Sequence, residues 1–354
     1  LEWIHKHIGP FGGSSTEITL YGESAGSLAT ESQMHSLLPA RFSRVILQSQ
    51  ELGAPLVSTP ESIATKDWIY TKTKVHLNAK SVKELQEVPW QDLLTAYNAS
   101  DPRTGLAHVP MIDGLFFDEN WRSNYQFARG RSGTVLLGNT AAEGAVVTLV
   151  LAAAPKPASP PPTSALITAL QSVITGEKLA PLINAYGLLD STPVKEVKKN
   201  LLLLVEDMMW NSPTQELATI LTSPHPNFKT PVYQYTFAQP NPFSGPFKGV
   251  PAHALDLAYL HGDPLIFEGL DQSEKDLQEV MKGYWIEFAD GERLWDEGQM
   301  WSFGPGGQRS GTELEVFLKV RKEKWGSFGG LTHAEQEGVV GAVMGHLAQM
   351  KEVE

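Results

Sequence analysis

The chain of 354 residues carries 28 basic against 40 acidic side chains, a formal charge of −12, and is 42% hydrophobic and 19% charged with nine tryptophans. This balance describes a globular chain able to bury a sizeable core, excludes disorder, and works against nucleic acid or an anionic membrane as a partner. Cysteine is absent, which excludes disulfides, thiolate metal sites and a cysteine nucleophile; it agrees with an intracellular setting and leaves secretion open.

In chain order, Leu1, Ile4 and Ile8 fall at helical spacing with Trp3 beside them, the pattern of a helix that lacks its own start signal and is expected to begin before Leu1. Gly9 to Ser15 is a breaker cluster. Glu17 to Tyr21 then alternates like a strand and runs into Gly22-Glu-Ser24-Ala-Gly26, with a helix expected from about Ala25 to Leu37 before Pro39. Arg44 to Ser49 and Thr134 to Gly138 are short apolar runs typical of buried parallel strands. Between Pro60 and Tyr97 the pattern predicts two helices anchored by Ile63, Trp68 and Ile69. Val109 to Phe117 predicts a strand, a turn at Asp113-Gly114 and another extended piece, followed by a helix from Asn120 to Arg129.

The longest apolar run, Gly144 to Ala154, is too short to span a bilayer and reads as a buried helix, so no integral membrane segment is expected. Residues 155–163 form a proline-rich surface insert. Helical patterns fill most of 164–222, Pro231 to Phe237 alternates as a strand, and Glu274 to Asp290 reads as a helix. The tail, 327–354, includes a capping-box pattern at Thr332 and Glu335 that opens a terminal helix. Strands alternating with helices predict an α/β fold, a mostly parallel sheet flanked by helices in one domain over 1–354.

The stretch that carries chemistry is Gly22-x-Ser24-x-Gly26. A strand entering this pattern and a helix leaving it form a sharp turn that projects a serine hydroxyl, with glycines on either side leaving room for the strand and helix. In a chain with 31 glycines the pentapeptide alone is a weak signal. The blocks around it are more specific. Leu1-Glu-Trp-Ile4, Phe11-Gly-Gly13, Glu17 to Ser27, His35-Ser-Leu-Leu-Pro39, Leu47-Gln-Ser49, Val109 to Gly114, Asp207 to Pro213, Gly249 to Gly262, and Tyr284-Trp285 with Phe288-Ala289 occur in an order that resembles the type B carboxylesterase and cholinesterase-like family of α/β-hydrolases. The resemblance covers about residues 1–325.

It implies an α/β-hydrolase fold lacking its early N-terminal strands, and a catalytic triad ordered serine, acid, histidine, onto which Ser24, Glu143 and His253 map. Ser24 would be the nucleophile, His253 its base, and Glu143, on a Glu-Gly turn after a strand, the acid. Asp256, three residues after His253, is a rival acid or a helix N-terminal charge, and Asp113 a weaker rival in a turn. Ala25 would contribute a backbone oxyanion donor, and Glu23 is implied to be buried beside the site. The family's His-Gly-Gly loop, the main source of oxyanion donors, occurs nowhere in this sequence. Trp210, Phe237 and Phe243 are candidates for an acyl or alcohol pocket or for plain core. His5, His7, His225, His333 and His346 read as exposed, and His35 as packed and hydrogen-bonded. No histidine pair has metal-ligand spacing with carboxylates, so neither metal nor cofactor is expected. The implied activity is hydrolysis of carboxylic esters through an acyl-enzyme, with small to medium uncharged esters expected because the sequence offers no recognisable cationic or phosphate clamp; an impaired homologue acting as a binding module, or an inactive fragment, is the alternative.

Overall fold

The structure is a computed structural model that describes residues 1–49, 67–100, 110–121, 133–152, 157, 159–223, 230–305, 309–313, 321 and 324–350. The chain divides into two compact units, one comprising Leu1–Met34, Ala40–Pro55 and Gln126–Glu354 and the other His35–Pro39 and Leu56–Tyr125.

The larger unit is built on a six-stranded sheet whose spatial order is its chain order: β1 (Thr19–Glu23), β2 (Arg44–Gln48), β3 (Thr134–Thr140), β4 (Val232–Phe237), β5 (Gln299–Phe303) and β6 (Arg309–Glu313). The first five pair in parallel, and β5 and β6 form an antiparallel pair. Central strands β2 and β3 consist of Val, Ile and Leu runs buried on both faces, which is what a parallel interior strand requires. Glu23, Gln48, Gly138 and Tyr235 lie side by side in one register row. The carboxyl ends of β1 to β4 therefore share one edge, where an open parallel sheet gathers its functional groups.

Two cores flank this frame. One packs β4 and β5 aromatics against the Leu255–His261 and Gln272–Asp290 helices, with Tyr235, Phe237, Tyr259, Phe288 and Phe303 fully buried. The other joins the Thr163–Gln171, Gly176–Ala185 and Val194–Glu206 helices to the tail through Leu170, Leu182, Leu201, Val339, Val343 and Leu347. The tail helix, His333–Leu347, opens with the expected capping box, and Glu335 also receives Lys178 Nζ at 2.7 Å and 2.8 Å. In the smaller unit the Asp67–His76 helix packs on Trp90–Ser100, with Ile69, Thr73 and Ala96 buried, while Ser81 Oγ caps Val82–Glu87 by accepting from Glu84 N. In the same unit His35 Nδ1 donates to the Trp121 carbonyl at 2.8 Å, the packed environment expected of it.

Several expectations are corrected. The 67–100 segment holds three helices, because Pro89 and the turn at 77–81 break the pattern twice. The apolar run after Glu143 gives only the short Ala145–Val150 helix, with Leu149 and Val150 about half exposed. Residues 111–117 form turns instead of strands, since Asp113 Oδ1 collects the N–H groups of Leu115, Phe116 and Phe117. His346 is buried in the tail helix. Strands β5 and β6 and the π-helical turn Asp207–Asn211 were not anticipated. Ile63, most of the expected 120–129 helix, residues 155, 156 and 158 of the proline-rich insert, and 351–354 lie outside the described residues.

Candidate active site

Ser24 stands between β1 and the Ala25–His35 helix with φ at +54°, in the left-handed region that a non-glycine residue enters only at a cost, and its N–H is held by the Gln48 carbonyl at 2.9 Å. Gly22 makes this turn possible. A Cβ there would lie 2.2 Å from the Gly26 carbonyl oxygen, whereas one on Gly26 would meet nothing within 4 Å. Only the first glycine of the motif is therefore sterically required. Gly22→Ala is expected to cost about 1–3 kcal/mol as the backbone shifts to relieve that clash, a loss that denaturant titration would read; Gly26→Ala should cost far less.

Glu143 is fully buried on the turn after β3. Its Oε1 accepts from Thr140 N–H at 2.6 Å and from Ser49 Oγ at 2.8 Å, leaving Oε2 to pair with His253 Nδ1. Ser49, the residue after β2, also has positive φ (+52°) and is bound through its N–H to the Gly138 carbonyl. The sequence marked it only as the end of the Leu47-Gln-Ser49 block and gave no sign of its bond to Glu143.

His253 lies on the loop after β4. That loop is clipped to the Glu143 turn by an isolated bridge between Ala142 and Ala252 and by Ala142 N–H donating to the Pro251 carbonyl at 3.1 Å, so backbone pairing holds the two side chains together. The second ring nitrogen, Nε2, lies 3.2 Å from Glu23 Oε1. Because Glu23 directly precedes Ser24, this contact brings the elbow to the Nε2 side of the imidazole. The Trp210 ring, on the π-helical turn, lies 5.5 Å from the imidazole. Phe237 and Phe243 instead pack on Tyr259 and Phe267 in the aromatic core. Ala25 is exposed, and as the first residue of a helix its N–H has no intrahelical acceptor.

Asp256 is fully buried away from the imidazole's hydrogen bonds. It accepts from Gln48 Nε2 and Tyr235 Oη, each at 2.8 Å, and burial pushes its carboxyl above the usual range against those donors. Asp113 is spent in its own turn. Of the three acids weighed, Glu143 has the hydrogen bond to His253 among the described residues. Among those residues no group of three His, Asp or Glu is arranged to hold a metal ion, and no helix is long and apolar enough to cross a membrane.

The model of the carboxylesterase family matches residues 1–323. The chain belongs to that family. It is 26% identical to human carboxylesterase 5A over 305 residues, covering 82% of this chain and 51% of that protein. A Bungarus fasciatus acetylcholinesterase is 31% identical over 152 residues, 41% of this chain and 25% of the other. A solved PNB esterase superposes with a TM-score of 0.68 at 18% identity, covering 91% of this chain and 65% of that one, and a thermophilic PNB esterase gives 0.67. The sheet and its helices thus have the α/β-hydrolase fold. The chain spans about half the length of the human relative.

Proposed function

We propose that this carboxylesterase-family chain is a serine carboxylic-ester hydrolase in which Ser24, His253 and Glu143 act as nucleophile, base and acid. The observation that carries the reading is the clamped Glu143 carboxylate, with one oxygen saturated by Thr140 and Ser49 and the other on His253 Nδ1. This arrangement keeps the Nδ1 proton in place, so Nε2 is the basic nitrogen, and it stabilises the imidazolium that forms when Nε2 accepts a proton.

Ser24 Oγ adds to the ester carbonyl carbon as its proton passes to Nε2, and the resulting oxyanion faces the N–H of Ala25. The tetrahedral species collapses by breaking the bond to the alcohol oxygen, which leaves with the proton from His253, and the acyl group stays on Ser24. Water then repeats the sequence with His253 as base, releasing the carboxylic acid and free Ser24. The chemistry uses no cofactor. Small uncharged esters suit the apolar flank that Trp210 gives the imidazole.

The test is covalent. A fluorophosphonate probe should label the peptide bearing Ser24 in proportion to the loss of turnover of a short-chain aryl ester. Hydrolysis that persists in fully labelled protein, or labelling at another residue, would contradict the assignment.

A further inference from the structure

The turn that carries Glu143 is held from both ends by one buried polar cluster. At its start, Asn139 donates from Nδ2 to Asn211 Oδ1 at 3.2 Å and accepts from Thr214 Oγ1 at 3.1 Å. At its end, the N–H of Gly144, the amide that immediately follows Glu143, donates to Glu206 Oε2 at 3.2 Å. The two ends are then joined: Asn211 Nδ2 donates to Glu206 Oε1 at 3.1 Å and to Asp207 Oδ1 at 3.0 Å. Arg321 Nη1 reaches Asp207 Oδ1 at 3.1 Å and Glu206 Oε1 at 3.4 Å, and Tyr186 Oη donates to Asp207 Oδ2 at 2.9 Å.

Gly144 has no slack against this cluster. A Cβ there would lie 2.7 Å from the Leu202 carbonyl oxygen, so the peptide is pressed on the last turns of the Val194–Glu206 helix. The chemistry of position 206 is equally constrained. One oxygen must accept from Gly144 and the other from Asn211 and Arg321, and only a carboxylate offers acceptors on both sides. An amide would turn its NH₂ towards a donor whichever way it faced. Two buried carboxylates sharing one guanidinium are an expensive way to end a helix, since apolar packing of similar volume is often more stable.

We propose that Glu206, braced by Arg321 and Asn211, is a positioning residue for the catalytic acid: it fixes the Glu143–Gly144 peptide and thereby holds the Glu143 carboxylate against His253 Nδ1. In its catalytic readout the proposal rests on the triad reading above. Glu206 has no hydrogen bond to the imidazole among the described residues; its direct link to the Glu143 turn is the Gly144 N–H.

Burial pushes the Glu206 carboxyl up to about 7, with Arg321, the Gly144 and Asn211 hydrogen bonds opposing and Asp207 adding to the rise. Two consequences of opposite sign follow. The carboxylate clamp is complete only above about pH 7, so the catalytic advantage of wild type over Glu206→Gln should grow as pH rises through that value. Stability moves the other way. A carboxyl whose folded value is raised contributes fully below its unfolded value of 4.5, and that contribution is lost as pH rises through about 7. The Tm of wild type relative to Glu206→Gln should therefore fall as pH rises from about 4.5 to about 7 and level off above it. A purely structural glutamate would move activity and Tm together.

The experiment compares wild type, Glu206→Gln, Glu206→Ala and, as a control on an ion pair outside the cluster, Lys178→Ala. In Glu206→Ala, amide hydrogen exchange of the peptide covering 139–147 should speed up about tenfold or more while peptides of β2 and β4 are unchanged. Turnover of a short aryl ester should drop about ten- to hundredfold in kcat with KM within about threefold. Lys178→Ala should leave both unchanged. Unaltered exchange over 139–147 in Glu206→Ala, or parallel loss of kcat and Tm at every pH in Glu206→Gln, would overturn the proposal. If wild type shows no Ser24-dependent turnover, the triad reading fails, and the exchange measurement still decides whether Glu206 holds the turn.

Discussion

Replacing Ser24 by alanine is expected to lower kcat/KM for a short-chain aryl ester by on the order of 10⁴-fold or more, without loss of folded protein. Ser24 is only partly buried at the sheet edge, so alanine removes the proposed nucleophile and leaves no cavity in the core. It also suits the +54° backbone no worse than serine does. Thermal unfolding should therefore shift little while turnover and fluorophosphonate labelling disappear. Rates within tenfold of wild type would mean that another group attacks the ester.

Glu143→Gln is expected to cost on the order of 10³- to 10⁴-fold in kcat, nearly as much as removing the nucleophile, even though the substitution is isosteric. The reason lies in the two donors on Oε1. Thr140 N–H and Ser49 Oγ both point at that atom, so glutamine must put its carbonyl there and turn its NH₂ towards His253 Nδ1. An NH₂ facing Nδ1 favours the tautomer that carries its proton on Nε2, and that nitrogen can no longer accept the Ser24 proton. Ser49→Ala removes one of the two donors and leaves the carboxylate, so its loss should be much smaller, about tenfold. The ordering Glu143→Gln far below Ser49→Ala is read from steady-state kinetics of the two variants, and its reversal would refute this account of the turn.

Legibility differed between elements for identifiable reasons. Strands β1 and β4 announced themselves by alternation and β2 and β3 as short apolar runs, and Thr332 with Glu335 marked the tail helix because a capping box is local chemistry. The two-helix expectation between Pro60 and Tyr97 failed where Pro89 resets the helical register, a break that hydrophobic periodicity does not weigh. β5 mixes polar and aromatic residues and β6 is polar throughout, and their strand character comes from pairing with β4 and with each other. Tertiary partners decided those segments.

The sequence by itself determined the elbow around Ser24, the alternation that builds a parallel sheet, and, through its ordered blocks, the family. These are properties of residues close together in the chain, or of motifs that can be matched one at a time. Only the tertiary structure decided which acid faces His253. Asp256 is nearer in sequence, yet its side chain is turned to Gln48 and Tyr235, while Glu143 is carried to Nδ1 by backbone pairing between Ala142 and Ala252. It alone also brought Ser49, Glu206 and Arg321 into the account, because each acts across distant stretches of chain through a hydrogen bond that no local pattern encodes.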